Sequence, residues 1–189
     1  MKDGGHSRNS VFNLKSGLVT RGILMDIPRL KGVEYLEPGT HIYPEDLEAW
    51  EKKAGVKVSA GDAIFVRNGR WVRRAKVGPW DITKSAAGLD VSCIPWLRQR
   101  DVALLAGESP QDAVPQGEGL SLSAKNPGSQ LVVHGFTLVY LGAQLIDNAD
   151  LDALAEAAAA RNRWEFLLMV APLPLRGGTG SPANPIAIF

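Results

Sequence analysis

Strand-like and helix-like segments alternate along the chain, and that alternation predicts an α/β domain. Three observations support it. Five short apolar runs with flanking glycine or proline read as strands: 18–27, 62–67, 102–106, 165–170 and 186–189. Helical patterns fall between them. The 189 residues are 45% hydrophobic and 22% charged, enough apolar surface to bury a core. Most of the apolar runs are nearly continuous in Val, Ile, Leu, Met and Phe, which suits strands covered on both faces.

The helices follow from local chemistry. Pro44 suits a first helical turn, where its missing N–H costs nothing, and Glu45 and Asp46 place negative charge at the positive end. Leu47, Trp50 and Ala54 share one face, and Gly55 supplies the stop. The strongest helical pattern is 147–163, with Asn148 or Asp150 as cap, an alanine-rich interior, and Arg161 and Arg163 near its end. A shorter helix is predicted over 89–100, with Pro95 in its first turn. Segment 131–145 fits both a helix and a buried strand, with helix preferred. Segments 68–85 and 107–129 read as loops, the second long enough to be functional or mobile.

Composition excludes several classes. Lys+Arg 21 against Asp+Glu 20 gives a net charge of +1, a poor match to a protein that grips phosphate backbones, so no nucleic-acid partner is expected. No apolar run is long enough to span a bilayer, and residues 1–8 lack the apolar core of a secretory leader, so a cytoplasmic protein without a membrane partner is expected. The single cysteine, Cys93, excludes an intrachain disulfide and a cysteine-cluster zinc site, and its apolar setting reads as a buried small residue.

Several segments together resemble one family. They are Leu18-Val19-Thr20-Arg21-Gly22-Ile23-Leu24-Met25-Asp26, Gly61-Asp62-Ala63-Ile64-Phe65-Val66-Arg67-Asn68-Gly69-Arg70, Ala87-Gly88-Leu89-Asp90-Val91-Ser92, Arg163-Trp164-Glu165-Phe166-Leu167-Leu168 and the glycine-rich Gly177-Gly178-Thr179-Gly180-Ser181-Pro182. In order and almost throughout the chain, they resemble the cyclase family of metal-dependent hydrolases, which includes kynurenine formamidases and isatin hydrolases. The resemblance implies a swivelling β/β/α fold, a bound zinc or manganese, and hydrolysis of a small aromatic amide or lactam by metal-activated water. In that family a motif H-x-G-T-H-x-D, upstream of the strand represented by 20–26, holds the metal. Only His6 precedes Leu18 here. The expectation is a C-terminal part of the family's chain, with a tail over 1–17 and a cyclase-like domain over 18–189. Such a chain would work as a homo-oligomer or beside a motif-bearing second chain. Gly39-Thr40-His41 repeats the centre of the motif, but Glu37 and Tyr43 stand where its first histidine and aspartate would be, so it reads as a loop leading into the Pro44 helix.

The resemblance also assigns site residues. His134, within Val132-Val133-His134-Gly135-Phe136, corresponds to a family histidine facing the metal pocket, as a catalytic group and metal ligand; an imidazole on such an apolar stretch is otherwise a hydrogen-bonded core residue. Asp147 corresponds to the family's acidic ligand near that pocket; its other reading is a carboxylate at a helix start. Two such donors fall short of the three or four that protein zinc sites use. Arg70 and Trp71 read as a substrate contact, the guanidinium as a planar fork and the indole as a stacking face, while Arg73, Arg74 and Lys76 read as solvated. Gly178 and Thr179 allow backbone to approach a substrate closely, or else form a tight turn before the last strand. Glu108 stands where the family often has Asp. Besides a hydrolase, the pattern leaves open a non-catalytic partner protein and a ligand-binding module built on Arg70 and Trp71.

Overall fold

The computed structural model of the protein describes residues 10–117 and 131–189. The first apolar run forms β1 (Leu18–Asp26), followed at once by a short helix, α1 (Ile27–Lys31), for which Asp26 accepts the Arg29 N–H. Ile23, Leu24 and Met25 are fully buried. A two-residue strand, β2 (His41–Ile42), leads into α2 (Pro44–Ala54), where Asp46 accepts the Tyr43 N–H and Leu47 and Trp50 turn inward. Next come β3 (Ala63–Arg67), α3 (Arg70–Val77), β4 (Gly88–Leu89), α4 (Cys93–Gln99) and β5 (Leu104–Gly107). After the described chain resumes, α5 (Val132–Phe136) runs into a π-helical turn over Thr137–Leu141. Then follow β6 (Gln144–Ile146), α6 (Asp152–Arg161), β7 (Glu165–Val170) and β8 (Ile186–Ile188).

Among the described residues, six strands make one mixed sheet in the order β6-β5-β3-β1-β7-β8, and β2 and β4 pair separately. The first four strands of that order are parallel, with Asp26 beside Arg67 and Val66 beside Gly107. β7 and β8 complete the sheet antiparallel, with Gly22 beside Phe166. This register places the carboxyl ends of four parallel strands side by side, the position where open α/β sheets gather functional loops.

The core lies between the sheet and its helices. The Trp50 and Trp164 rings meet edge-on at 4.8 Å, and the Trp50 indole N–H donates to the Leu24 carbonyl at 2.7 Å, so a large ring is buried without an orphaned donor. Gly22 makes room for Phe166, whose ring lies 2.2 Å from where a Cβ would stand. The pair β2–β4 braces the segment after β5: Leu89 N–H donates to the Gln111 carbonyl at 2.7 Å, and Ala113 N–H to the Leu89 carbonyl at 3.1 Å.

The structure corrects several expectations. Segment 68–85, read as a loop, contains α3; its start is held by the Asn68 side chain, which accepts the Arg70 N–H at 3.0 Å, and by Glu108, about forty residues away, which accepts the N–H groups of Asn68, Gly69 and Arg70. The helix predicted over 89–100 starts only at Cys93, because Gly88 and Leu89 extend along β2; Pro95 does fall in its first turn. In 131–145 both readings hold in part, as helix and then strand. The helix predicted from 147 begins at Asp152, because Asn148 adopts φ 61° and leaves 147–151 as a loop. Coverage of both strand faces holds for β3 and β5, whereas β7 alternates and leaves Leu167 and Met169 exposed on a face shared with Val19, Ile186 and Ile188. The last part of the 107–129 loop, and His6, lie outside the described residues. No helix among the described residues is long and apolar enough to cross a membrane.

A methyl group at Gly22 must displace the Phe166 ring. Gly22→Ala is expected to lower the unfolding free energy by about 1–3 kcal/mol, measured by urea denaturation with β-sheet content followed by circular dichroism.

Candidate active site

The carboxyl ends of the parallel strands carry a continuous set of polar groups. β1 ends at Asp26, which is fully buried, and β3 ends at Arg67. The Arg67 guanidinium joins Asp26 at 3.0 Å and Asp152, at the start of α6, at 2.8 Å. A buried carboxylate thus has its charge met by an arginine that also anchors the next helix.

β5 is followed by the turn Glu108-Ser109-Pro110-Gln111-Asp112, whose side chains organise three neighbours. Glu108 is fully buried, and its Oε2 accepts the N–H groups of Asn68 at 2.8 Å, Gly69 at 2.6 Å and Arg70 at 3.3 Å, at the positive end of α3. Burial outweighs those bonds and the nearby Arg67, and the carboxyl is pushed up to about 7. Gln111 donates from Nε2 to Asp147 Oδ1 at 3.0 Å and to the Ile146 carbonyl at 3.1 Å, at the end of β6. Asp112 accepts the Val133 N–H at 2.7 Å and the His134 N–H at 2.9 Å, one on each oxygen, at the start of α5. Its carboxyl is pushed up to about 6 by burial, against those two N–H bonds and His134.

The two histidine and aspartate candidates meet. His134 Nδ1 lies 3.6 Å from Asp147 Oδ2, an ion-pair distance just beyond a hydrogen bond, and Nδ1 has no hydrogen-bond partner among the described residues. Both line a cavity of about 720 Å³, with an apolar floor that includes Leu18, Leu145 and Val170 and a polar rim that includes Gln144, Thr179 and Ser181. Asp147 also borders a smaller cavity of about 310 Å³ beside Phe166 and Leu168. Segment 10–14, inside the stretch expected as a tail, lines the larger cavity through Ser10, Val11 and Leu14 and is tied to the glycine loop by Val11 N–H to the Gly178 carbonyl at 2.8 Å.

The other predicted residues separate. Thr179 reaches the cavity rim, while Gly178 supports it through its backbone. Arg70 and Trp71 do not line that cavity. The Arg70 guanidinium donates to the Glu108 carbonyl at 2.6 Å and to the Asn148 side chain, and it lies 4.6 Å from the Trp71 ring centre. Trp71 donates its indole N–H to the Ala149 carbonyl at 2.7 Å. Together they brace the 147–150 loop that carries Asp147. Arg73 and Lys76 pair with Glu37 at 3.0 Å and Glu34 at 2.6 Å. Cys93 is buried, its thiol is pushed up to about 12 mainly by burial, and it meets the Ile42 carbonyl at 3.2 Å. His41 holds Asp90 at 2.8 Å on the β2–β4 pair. Ser181 Oγ accepts the Leu173 N–H and donates to the Pro182 carbonyl, so its proton and one lone pair serve the loop.

A zinc or manganese ion does not fit the described residues alone. Among them no three His, Cys, Asp or Glu side chains converge. His134 and Asp147 offer two donors, and the oxygens of Asp112 are already engaged by backbone N–H groups, whereas catalytic zinc takes three protein ligands and a water.

Solved structures share this fold, and a family model matches the chain. The family described as "Putative cyclase" matches residues 5–111, more than half of the chain, and the protein belongs to that cyclase family. A solved structure of a novel cyclase is 30% identical with a TM-score of 0.77, covering 95% of this chain and 57% of its own. Isatin hydrolase A from Labrenzia aggregata, bound to benzyl benzoate, is 19% identical with a TM-score of 0.65, covering 99% and 69%. A protein described as a potential metal-dependent hydrolase with cyclase activity is 14% identical with a TM-score of 0.57, covering 98% and 71%. The last two show the fold alone. The chain thus spans little more than half the length of the novel cyclase. No curated protein matches it.

Glu108 makes the fold pH-dependent. Its folded-state value, about 7, lies above the ordinary 4.5, so its contribution is complete below about pH 4.5 and is lost as pH rises through about 7. Glu108→Gln, which copies the neutral acid, is expected to match the parent protein near pH 4. Above pH 7 it should exceed the parent's unfolding free energy by on the order of 3 kcal/mol, read by chemical denaturation across a pH series.

Proposed function

We propose that this chain is the His134- and Asp147-bearing part of a cyclase-family hydrolase that cleaves a carbon–nitrogen bond in a small aromatic amide or lactam. The observation that carries this is the meeting of His134 and Asp147 at 3.6 Å on the wall of a 720 Å³ cavity. A cavity of that size with an apolar floor and a few polar groups at its rim suits a small aromatic ligand. In this reading the ring lies against Leu18, Leu145 and Val170, and the scissile amide faces the histidine–aspartate pair. His134 is the proton-transfer group, with the Asp147 carboxylate beside it at 3.6 Å. Thr179 and the Gly178 backbone border the substrate. Arg70 and Trp71 contribute by holding the 147–150 loop rather than by touching the ligand.

The family's solved relatives include a protein described as metal-dependent, and the pair His134–Asp147 presents a nitrogen and an oxygen of the right chemistry for zinc or manganese. The further donors such an ion needs come, in this reading, from a second chain bearing H-x-G-T-H-x-D. Assembly with such a chain, or with another copy, is part of the proposal.

Isatin and N-formylkynurenine are the substrates to assay, with the chain alone and with a motif-bearing chain added. Turnover that appears or rises on that addition is the expected result, and none with either preparation would sink the reading for these substrates. Once activity is present, His134→Ala is expected to lower kcat by about 10²-fold or more with the circular dichroism spectrum unchanged. Calorimetric zinc titration of the chain alone is expected to give weak binding that is abolished in Asp147→Ala; tight, stoichiometric zinc would contradict the two-donor reading.

A further inference from the structure

An antiparallel strand with one face in water turns polar residues outward, in alternation with the apolar residues it turns to the core. β7 and β8 depart from that pattern. The inward residues Phe166, Leu168 and Val170 are buried, as the alternation requires. The outward residues beyond Glu165 are Leu167, Met169, Ile186 and Ile188. The register joins them to β1 in two rows, Val19 with Met169 and Ile186, then Arg21 with Leu167 and Ile188. The five aliphatic side chains in these rows are 41% to 62% exposed. Lying side by side on three adjacent strands, they leave on the order of 400 Å² of apolar surface in one patch, the size that marks an interaction site on a soluble protein.

We propose that this face is the interface of a homodimer, in which the same patch of two copies meets about a two-fold axis with Leu167 and Met169, on the middle strand, at its centre. The size fits a second copy. A stable dimer buries about 800 Å² on each partner, roughly half to two-thirds of it apolar, so the patch supplies the apolar centre of one such interface. The charge fits as well. Arg21 is the one charged residue in the two rows, and within its own chain it meets Asp62 at 2.6 Å and Glu165 at 3.5 Å, so the face brings no unpaired charge against its like. A net charge of +1 leaves little long-range repulsion between copies. The position separates this face from the candidate site. Leu18 and Val170 line the larger cavity, and Phe166, Leu168 and Ala187 border the smaller one, so both cavities lie on the opposite side of these strands. A chain that completes the site from the cavity side leaves the patch uncovered. The dimer goes beyond the hydrolase reading and does not depend on it.

The test is sedimentation equilibrium of the full chain over a concentration series. The parent protein is expected to be mainly dimeric at about 100 μM, and a monomer at that concentration would overturn the proposal. Leu167→Lys puts an unpaired charge at the centre of the patch. It is expected to raise the dimer Kd about tenfold or more with the circular dichroism spectrum unchanged. An unchanged Kd in the folded variant would place the contact elsewhere and sink the idea. If that variant does not fold, Val19→Lys, at the most exposed position of the patch, decides by the same shift. Native mass spectrometry with an added motif-bearing chain separates the other occupant. A complex holding two copies of each chain supports the homodimer, whereas a complex of one copy of each shows that the other chain takes this face and refutes it. None of these readouts needs a substrate, so a chain that hydrolyses nothing leaves the dimer standing.

Discussion

The hydrogen bonds made by one turn, Glu108 to Asp112, hold the candidate site together. Helix starts leave backbone N–H groups without intrahelical partners. In this protein two of those starts, at α3 and α5, are met by carboxylates from the same five residues. Between those carboxylates, Gln111 reaches the end of β6 and holds Asp147. The turn lies between the rigid end of β5 and the supporting β4 strand, so its side chains are aimed by sheet geometry. Burial raises the cost of both carboxylates, and their N–H partners offset part of it.

Much of the fold was legible because core strands announce themselves locally. The run ending in Asp26, the run ending in Arg67 and the Pro44 helix carry their signals within a few residues. Elements that depend on distant partners were not legible. The start of α3 depends on Glu108, about forty residues on, as well as on the local Asn68 side chain. Gly88 and Leu89 look like a helix lead-in until β2 pairs with them. The alanine-rich helix reads as longer than it is, because Asn148 takes φ 61° and Arg67 fixes the helix start through Asp152.

The site was legible in a similar measure. His134 and Asp147 were identified through the family's pattern, and the structure brings them to one cavity wall. Spacing alone would not have joined them, because the contact depends on α5 and β6 ending beside the same turn. Arg70 and Trp71 read as a fork and a stacking face, but the Arg70 Nη1 and the Trp71 indole N–H are taken up by Glu108, Asn148 and Ala149. Gln111 was missed. The available signal was a Pro110-containing polar turn directly after a strand.

The turn is also a length constraint. Glu108, Gln111 and Asp112 each point to a different element, and they do so from within five consecutive positions. Inserting or deleting one residue there would misregister all three anchors in a single event. Divergence at this corner of the molecule is therefore confined to exchanging side chains within a fixed spacing.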